Sequence, residues 1–464
     1  MVHPASAEKS FSPRPGVSAV RRCAFTLLNH LWQYPDDMTP LPAMLSQESQ
    51  SAAFSVRDSA FLSELVYGVL RRYALLDTAL AGFLKKPGSL SGQIRMLLRL
   101  GAYEILFMDR IPERATVNEY VSLARRRFGQ GMSGLINGVL RAMSGEASAW
   151  KIAFLRKEEG LKRGECDAAG MAEAASLPLW LTRMWIEHYG TDQACRLAAN
   201  ALAQPEPCWR VNATRAWGEM LSSYWTERGY AAVGESGFCL HGLEKNRSSA
   251  EKERILLNTL EAQGNITRQG AGSQLVAEYI ASRILADPAL AGKSMWDACC
   301  GRGGKTTALL EKGVRISLAS EPASHRLEAL KASLLRLGLP WPNVRCVPAQ
   351  EIEEMFSLIL LDVPCSGTGT LARNAELRVR LTPERLLDAQ RIQAEILEHA
   401  WERLLPGGVI FYVTCALNRE ENEWQMKRFC EKTGSRCIIE EEKMFLPLFP
   451  GQDALFLAVL RKEI

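Results

Sequence analysis

Apolar residues recur at three- and four-residue intervals through the first third of the chain. They do so over residues 20–31, 60–80, 94–107 and 117–128, and this spacing predicts a helix in each. Period-two alternation is nearly absent there. The breaks carry turn and helix-end chemistry, at Tyr34-Pro35-Asp36-Asp37, Lys86-Pro87-Gly88 and Arg110-Ile111-Pro112. Residues 1–145 therefore read as an all-α bundle of ordinary domain size. The text then turns small and charged, closing on Cys166-Asp167-Ala168-Ala169-Gly170, and residues 146–176 read as a helical linker. A third segment, 177–264, opens at Leu177-Pro178-Leu179-Trp180-Leu181 and continues as helix over 183–202. After Pro205-Glu206-Pro207 it becomes mixed, with Trp209-Arg210-Val211-Asn212 as a short strand, so a small α+β segment is expected. From 265 to 464 the pattern alternates between strand, glycine-rich turn and helix, which predicts an α/β domain on a mostly parallel sheet.

Composition narrows this picture without identifying a chemistry. A chain of 464 residues, 47% hydrophobic and 23% charged, is neither disordered nor collagen-like and has room for two or three domains. Its 56 Lys and Arg against 52 Asp and Glu leave a net charge of only +4, so nucleic-acid affinity would have to come from local basic patches. The helical part offers one, with Arg71-Arg72, Arg95, Arg99 and Arg125-Arg126-Arg127. Twelve cysteines lie scattered, without a CxxC pair or zinc-ligand spacing, which predicts a reducing compartment and no metal. Glu8, Lys9, Arg14 and two prolines near the start do not make a signal peptide. No apolar run reaches the ~18–20 residues that a membrane crossing needs. A cytoplasmic protein without a membrane partner is expected.

Three stretches of the α/β part carry candidate chemistry. In the first, a short strand ends in Asp297-Ala298-Cys299-Cys300-Gly301-Arg302-Gly303-Gly304-Lys305-Thr306, a glycine-rich turn running into a helix, where a ligand can approach the backbone. It is not a triphosphate loop, because the glycine required five positions before Gly304 is Cys299. Glu321 follows at the end of the apolar strand 314–319, where a doubly wound fold places an acid on a ribose. In the second, Leu358-Ile359-Leu360-Leu361 runs into Asp362-Val363-Pro364-Cys365-Ser366-Gly367, a buried parallel strand delivering a polar loop to the ligand crevice. The bland reading of Cys365 is a small buried thiol. In the third, a helix over 394–405 stops at Pro406-Gly407-Gly408, and the strand that follows ends in Thr414-Cys415. Two cysteines brought to one sheet edge are hard to explain as packing, and a disulfide between them is disfavoured by the compartment.

With both a Pro-Cys and a Thr-Cys cysteine, the chain resembles the RNA (cytosine-5)-methyltransferase family. Within it, the chain is most similar to the branch that acts on bacterial 16S ribosomal RNA and begins with a NusB-like helical domain. The resemblance runs from residues 97–108, Val117-Asn118-Glu119 and Gly134-Leu135-Ile136-Asn137-Gly138 through Arg210-Val211-Asn212 to Asp453-Ala454-Leu455-Phe456. It implies a multi-domain protein, with an all-α NusB-like domain, a small α+β RNA-binding subdomain and a Rossmann-like catalytic domain using S-adenosylmethionine.

Carbon 5 of cytosine is a poor nucleophile, so in this family a thiolate first adds to carbon 6. The resemblance assigns that role to Cys415, the later loss of the carbon-5 proton and adduct release to Cys365, and a hydrogen bond to the pyrimidine edge to Asp362. A thiol at its ordinary pKa of ~8.5 is only a few per cent ionised at neutral pH, and Lys305 is the cation expected to favour the thiolate. For the cofactor, the resemblance places Asp297, Cys299, Cys300, Gly301, Arg302, Gly303, Gly304 and Lys305 against the methionine moiety, Glu321 on the ribose, and Asp362 bordering both ligands. An aspartate for the adenine is missing from Val347-Pro348-Ala349-Gln350-Glu351, where Gln350 could supply a hydrogen bond. Cys300-Gly301-Arg302 stands where the family has Ala-Ala-Pro, and Ala372-Arg373-Asn374-Ala375-Glu376 where it has Arg-Arg-x-Pro-Asp. The Gln-Asp-Glu pattern has become Gln269-Gly270-Ala271-Gly272-Ser273-Gln274.

The target cytosine has to leave its stack. Arg210, Asn212, Lys305, Arg373 and Arg378 are the expected RNA contacts, with Arg380 and the basic face of the helical domain beside them. A monomer is expected. The competing readings are a methyltransferase for another base, another RNA such as tRNA or a small molecule, and a non-catalytic assembly factor with a degenerate α/β domain.

Overall fold

The computed structural model describes residues 18–240 and 247–463, so the reading of the extreme N-terminus falls largely outside it. The chain forms two compact units. One holds the described residues up to Leu161 with Ala169–Leu177 and Arg378–Arg380, and the other holds Lys162–Ala168, Pro178–Leu377 and the chain from Leu381 onward. Among the described residues no helix is long and apolar enough to cross a membrane.

The first unit is built from α1 (Ala19–Gln33), α2 (Leu41–Ser51), α3 (Val56–Ala81), α4 (Gly92–Phe107), α5 (Glu113–Phe128), α6 (Gln130–Gly145), α7 (Ala147–Arg163) and α8 (Ala168–Ala174). Side-chain caps set two starts. Ser55 accepts from the Asp58 N–H at 3.1 Å and Ser91 from the Ile94 N–H at 3.3 Å, which extends α3 and α4 ahead of their apolar stripes. α2 is not foreseen from periodicity, because it buries only Leu41, Met44 and Leu45. Within this bundle Glu104 is buried and accepts from Arg21 at 2.6 Å and Thr116 at 3.1 Å, with Tyr120 also donating to it. A buried charge so surrounded is satisfied rather than available.

The second unit opens with α9 (Leu179–Leu202), kinked at Gly190, whose φ is +76°. A four-stranded antiparallel sheet follows, from β1 (Cys208–Val211), α10 (Gly218–Glu227), β2 (Ala231–Val233), β3 (Gly237–Cys239), α11 (Arg247–Ala262) and β4 (Ile266–Arg268), in the order β2-β3-β1-β4. Its core stacks Trp209 and Trp225 on Phe238, with centroids 5.6 and 4.4 Å apart. β4 pairs with β1, so this sheet reaches past residue 264, where the sequence pattern alone would end it.

The larger sheet and the helices along its chain run through α12 (Ala271–Ala286), β5 (Met295–Asp297), α13 (Gly304–Glu311), β6 (Ile316–Ser320), α14 (Ser324–Leu337), β7 (Asn343–Arg345), β8 (Phe356–Asp362), α16 (Pro383–Glu402), β9 (Leu404–Thr414), α17 (Glu423–Thr433), β10 (Cys437–Phe445) and β11 (Leu455–Lys462), while α15 (Leu377–Arg380), between β8 and α16 in the chain, falls mostly in the first unit. Its order is β10-β11-β9-β8-β5-β6-β7, with β10 and β11 antiparallel and the rest parallel. Parallel strands are covered on both faces, which is why β8 reads as a continuous apolar run. Leu358 and Leu360 enter one core layer with Leu309, Leu330 and Phe411, while Ile359 and Leu361 enter the other with Trp296, Leu397 and Tyr412. Each such side chain contributes about 1.5–3 kcal/mol by leaving water.

One boundary differs from expectation. α16 stops at Glu402 and β9 begins at Leu404, taking Pro406-Gly407-Gly408 into the strand. Pairing with β8 shifts between Phe356 and Leu358, and a Cβ at Gly408 would meet the Ser357 carbonyl at 2.8 Å. The glycine pair thus forms an irregularity inside the strand and not the helix stop that it resembles.

Candidate active site

The four central parallel strands β9, β8, β5 and β6 end at Thr414, Asp362, Asp297 and Ser320. Cys415, Asp362, Asp297 and Glu321 therefore share one edge of the sheet, the crevice side of an open α/β fold.

On the β5–β6 side, Asp297 is almost fully buried. Its Oδ2 accepts from the Thr306 hydroxyl at 2.6 Å, while its Oδ1, equally buried, has no hydrogen-bond partner. Burial pushes its carboxyl up to about 7; the Thr306 hydrogen bond opposes this and the charge of Asp362 adds to it. The turn that follows needs glycine at Gly303, whose φ is +84° and whose Cβ would lie 2.3 Å from Leu330. α13 then starts at Gly304. Burial drives the thiols of Cys299 and Cys300 far above their ordinary range, so both act as packing groups. Cys300 N–H is bonded to the Ser320 carbonyl at 3.1 Å, which ties the turn to β6. Glu321 is buried at the end of β6 and accepts from the Ala323 N–H at 3.1 Å. Arg302 and Gln350 are exposed, Gln350 in a short 3₁₀ turn.

On the β8–β9 side the two loops meet. Cys365 and Cys415 Sγ atoms lie 3.0 Å apart, and the Cys415 N–H points at the Cys365 sulfur at 3.2 Å. The hydrogen bond with Cys415 pushes the Cys365 thiol well above its ordinary range, and burial and the nearby charges of Cys415 and Glu421 add to it. Of the pair, Cys365 keeps its proton. Lys305 Nζ donates to Asp362 at 2.7 Å. Burial opposes the Lys305 charge, but the Asp362 carboxylate overrides that and holds its pKa above the ordinary value. Arg373 is half exposed and paired with buried Asp453 at 2.8 Å. The Cys415 sulfur is within electrostatic range of both cations. Between the loops, Gly369 N–H donates to the Cys415 carbonyl at 2.9 Å and its own carbonyl accepts from Ala454 at 3.0 Å.

Three expected RNA contacts are corrected by this geometry. Arg210 is 3% exposed and locked to Glu311 at 2.6 Å, with a further bond to Thr307 at 3.2 Å. Asn212 is 1% exposed and donates to the Gly264 and Leu337 carbonyls. Arg378 is 2% exposed and donates to the Ala175 carbonyl. Arg380, their companion on α15, is equally buried. The Arg210 guanidinium, its N–H groups spent inside the fold, cannot meet a phosphate without breaking those bonds. Arg210→Met is accordingly expected to cost about 3–5 kcal/mol, because it strands the Glu311 carboxylate, and to show as a lower denaturation midpoint. A phosphate contact would instead show as a shallower salt dependence of RNA affinity in a protein of unchanged stability. Lys305 and Arg373 remain at the crevice.

Missing from the sequence reading is a buried polar network behind the cysteines, formed by Gln393, Asn418 and Glu421, each with essentially no exposure. In Arg419-Glu420-Glu421-Asn422-Glu423 no apolar period marks which residue turns inward.

Comparison with known proteins is consistent with this architecture. Residues 286–461 match the family described as 16S rRNA methyltransferase RsmB/F, and residues 18–145 match the NusB family. The ribosomal RNA small subunit methyltransferase B of Vibrio cholerae is 30% identical over 433 residues, covering 88% of this chain and 90% of that protein. Its namesake in Vibrio vulnificus is 29% identical, covering 94% and 98%. The crystal structure of PH0851 superposes with a TM-score of 0.67 at 19% identity, covering 98% of this chain and 100% of that one, which shows a shared fold.

Proposed function

The chain belongs to the 16S rRNA methyltransferase RsmB/F family, and from that premise we propose that it methylates carbon 5 of a cytosine in RNA, with 16S ribosomal RNA as substrate and S-adenosylmethionine as donor. The observation that carries this reading is the pair of sulfurs, Cys365 and Cys415, 3.0 Å apart at the ends of adjacent parallel strands. A cytoplasmic setting keeps both reduced.

The residues present fit the donor. Asp297 offers a buried carboxylate oxygen without a partner, which an ammonium group such as that of the methionine moiety would satisfy. Glu321, at the end of the next strand, is placed for ribose hydroxyls. When bound, S-adenosylmethionine supplies an electrophilic methyl group. Cys415 adds through its sulfur to carbon 6, and the electron pair of the 5,6 double bond becomes available at carbon 5. Asp362, paired with Lys305, meets the N3 and amino edge where charge develops. After methyl transfer the carbon-5 proton leaves to water and not to Cys365, the role that the resemblance implies, because that thiol already holds its proton; the double bond re-forms and the carbon 6–sulfur bond breaks. Its electron pair returns to Cys415, where the Cys365 S–H stands ready to donate. Lys305 and Arg373 offer positive charge to the RNA backbone or to the thiolate.

The test is incubation with RNA and methyl-labelled S-adenosylmethionine, followed by nucleoside analysis. Label in 5-methylcytidine supports the reading, and label in any other nucleoside overturns it. A second expectation concerns pH. The free-protein Asp297 carboxyl titrates near 7, and only its ionised form attracts an ammonium. Affinity for S-adenosylmethionine is thus expected to be flat above pH ~7.5 and to weaken by up to about tenfold per unit below ~6.5. Calorimetric titration across that range checks it, with Asp297→Asn predicted to bind weakly and without this dependence.

A further inference from the structure

Glu421 is a fully buried carboxylate that the chemistry above leaves unused. Its Oε2 accepts from the Ser366 N–H at 2.8 Å and from Gln393 Nε2 at 2.7 Å, and its Oε1 accepts from Asn418 Nδ2 at 2.8 Å. Gln393 also donates to the Pro364 carbonyl at 3.0 Å. The peptide groups on both sides of Cys365 are therefore gripped by one small network. Asn418 carries the grip across to the other loop. Its carbonyl accepts from Thr368 at 3.1 Å, and the Thr368 oxygen accepts from the Leu417 N–H at 2.8 Å. All three groups facing the Glu421 oxygens are donors, so a neutral amide there would set one N–H against another.

We propose that Glu421 is a positioning residue acting through Cys365: its carboxylate fixes the Pro364–Ser366 backbone against the Cys415 loop and places a fixed negative charge beside the Cys365 sulfur. The proposal rests on the cytosine reading only for the step that it serves. In the resting pair, the Cys415 hydrogen bond is the leading cause that keeps Cys365 protonated. That cause vanishes once the Cys415 sulfur is bonded to carbon 6, whereas burial and Glu421 persist. Glu421 thus preserves the Cys365 S–H until the departing sulfur needs it. Tyr412 also lies within electrostatic range of Cys365, and burial keeps it neutral; Arg428 and Cys299 act on Tyr412 as well.

The experiment has two arms. In the first, iodoacetamide alkylation of Cys365 is followed by mass spectrometry against pH, in Cys415→Ser and in Cys415→Ser with Glu421→Gln. Removing the fixed charge is expected to move the Cys365 profile to lower pH by about one unit, roughly tenfold faster alkylation below the midpoint. A profile that does not move overturns the proposal. In the second, the lifetime of the covalent protein–RNA adduct is measured with Cys415 intact. Glu421→Gln is expected to lengthen it about tenfold while changing adduct formation less than about threefold. Equal loss in both steps, or in neither, overturns the positioning role. Should Glu421→Gln not fold, Gln393→Ala removes one clamp and keeps the charge. It is expected to slow release with the alkylation profile unmoved, and a normal release rate overturns the proposal. If no adduct forms even in Cys365→Ala, the cytosine reading has failed, and the alkylation arm still decides the role of the Glu421 charge.

Discussion

Cys415→Ala is expected to abolish methyl transfer, with a loss of roughly 10⁴-fold or more in turnover, because in the proposed reaction the removed sulfur is the group that makes carbon 5 nucleophilic. The other described thiols at this edge are poorly suited to substitute. Cys299 and Cys300 are pinned protonated by burial, and Cys365 keeps its proton through its hydrogen bond with Cys415 and its own burial. Cys415→Ser should behave like the alanine variant, since a hydroxyl is far less acidic than a thiol. S-adenosylmethionine affinity should survive either change, because the groups proposed to hold it, Asp297 and Glu321, lie at the ends of β5 and β6, two and three strands away from β9. Single-turnover assays with labelled donor, run beside calorimetry, separate loss of chemistry from loss of binding. Activity within tenfold of the unmodified protein would exclude Cys415 as nucleophile.

Cys365→Ala is expected to give the opposite phenotype: adduct formation proceeds, release stalls, and a covalent protein–RNA complex accumulates that survives denaturing electrophoresis. The geometry behind this is the 3.0 Å sulfur–sulfur contact. Without an S–H at that distance the departing Cys415 thiolate loses its hydrogen-bond donor as it forms, a deficit of the order of one charge-assisted hydrogen bond, about 1.5–3 kcal/mol or roughly ten- to a hundredfold in rate. The adduct should carry one equivalent of transferred methyl, which distinguishes a release defect from a failed first step. An unmethylated adduct, or none, would move Cys365 to a different role.

The strand-end motifs were legible in the sequence because each joins a local signal to a fold rule. A run such as Leu358-Ile359-Leu360-Leu361 announces a strand covered on both faces, and the polar residues after it must then lie at the crevice. Helices α1, α3, α4 and α5 of the first unit were legible for the same kind of reason, to within about a turn, whereas α2 and α6 were not. Burial of charge was not. Arg210 finds Glu311 across 101 positions and Asn212 finds the Leu337 carbonyl across 125, and no window of sequence contains both ends of such a bond. Glu421 was hidden likewise, since its inward turn is decided by Ser366 and Gln393 and not by its charged neighbours.

Gly369 holds the cysteine loop by its backbone, its N–H bonded to the Cys415 carbonyl and its carbonyl to the N–H of Ala454, just before β11, and both of those residues' carbonyls lie close by. A Cβ there would meet both carbonyls, at 2.8 and 2.6 Å, so the contact leaves no slack for a side chain. The loop is thereby tied through its backbone both to the Cys415 loop and to the chain entering β11. A loop held this way spends less binding energy on its own ordering, so in the proposed reaction more of the conformational work of bringing base and thiol together falls on the RNA.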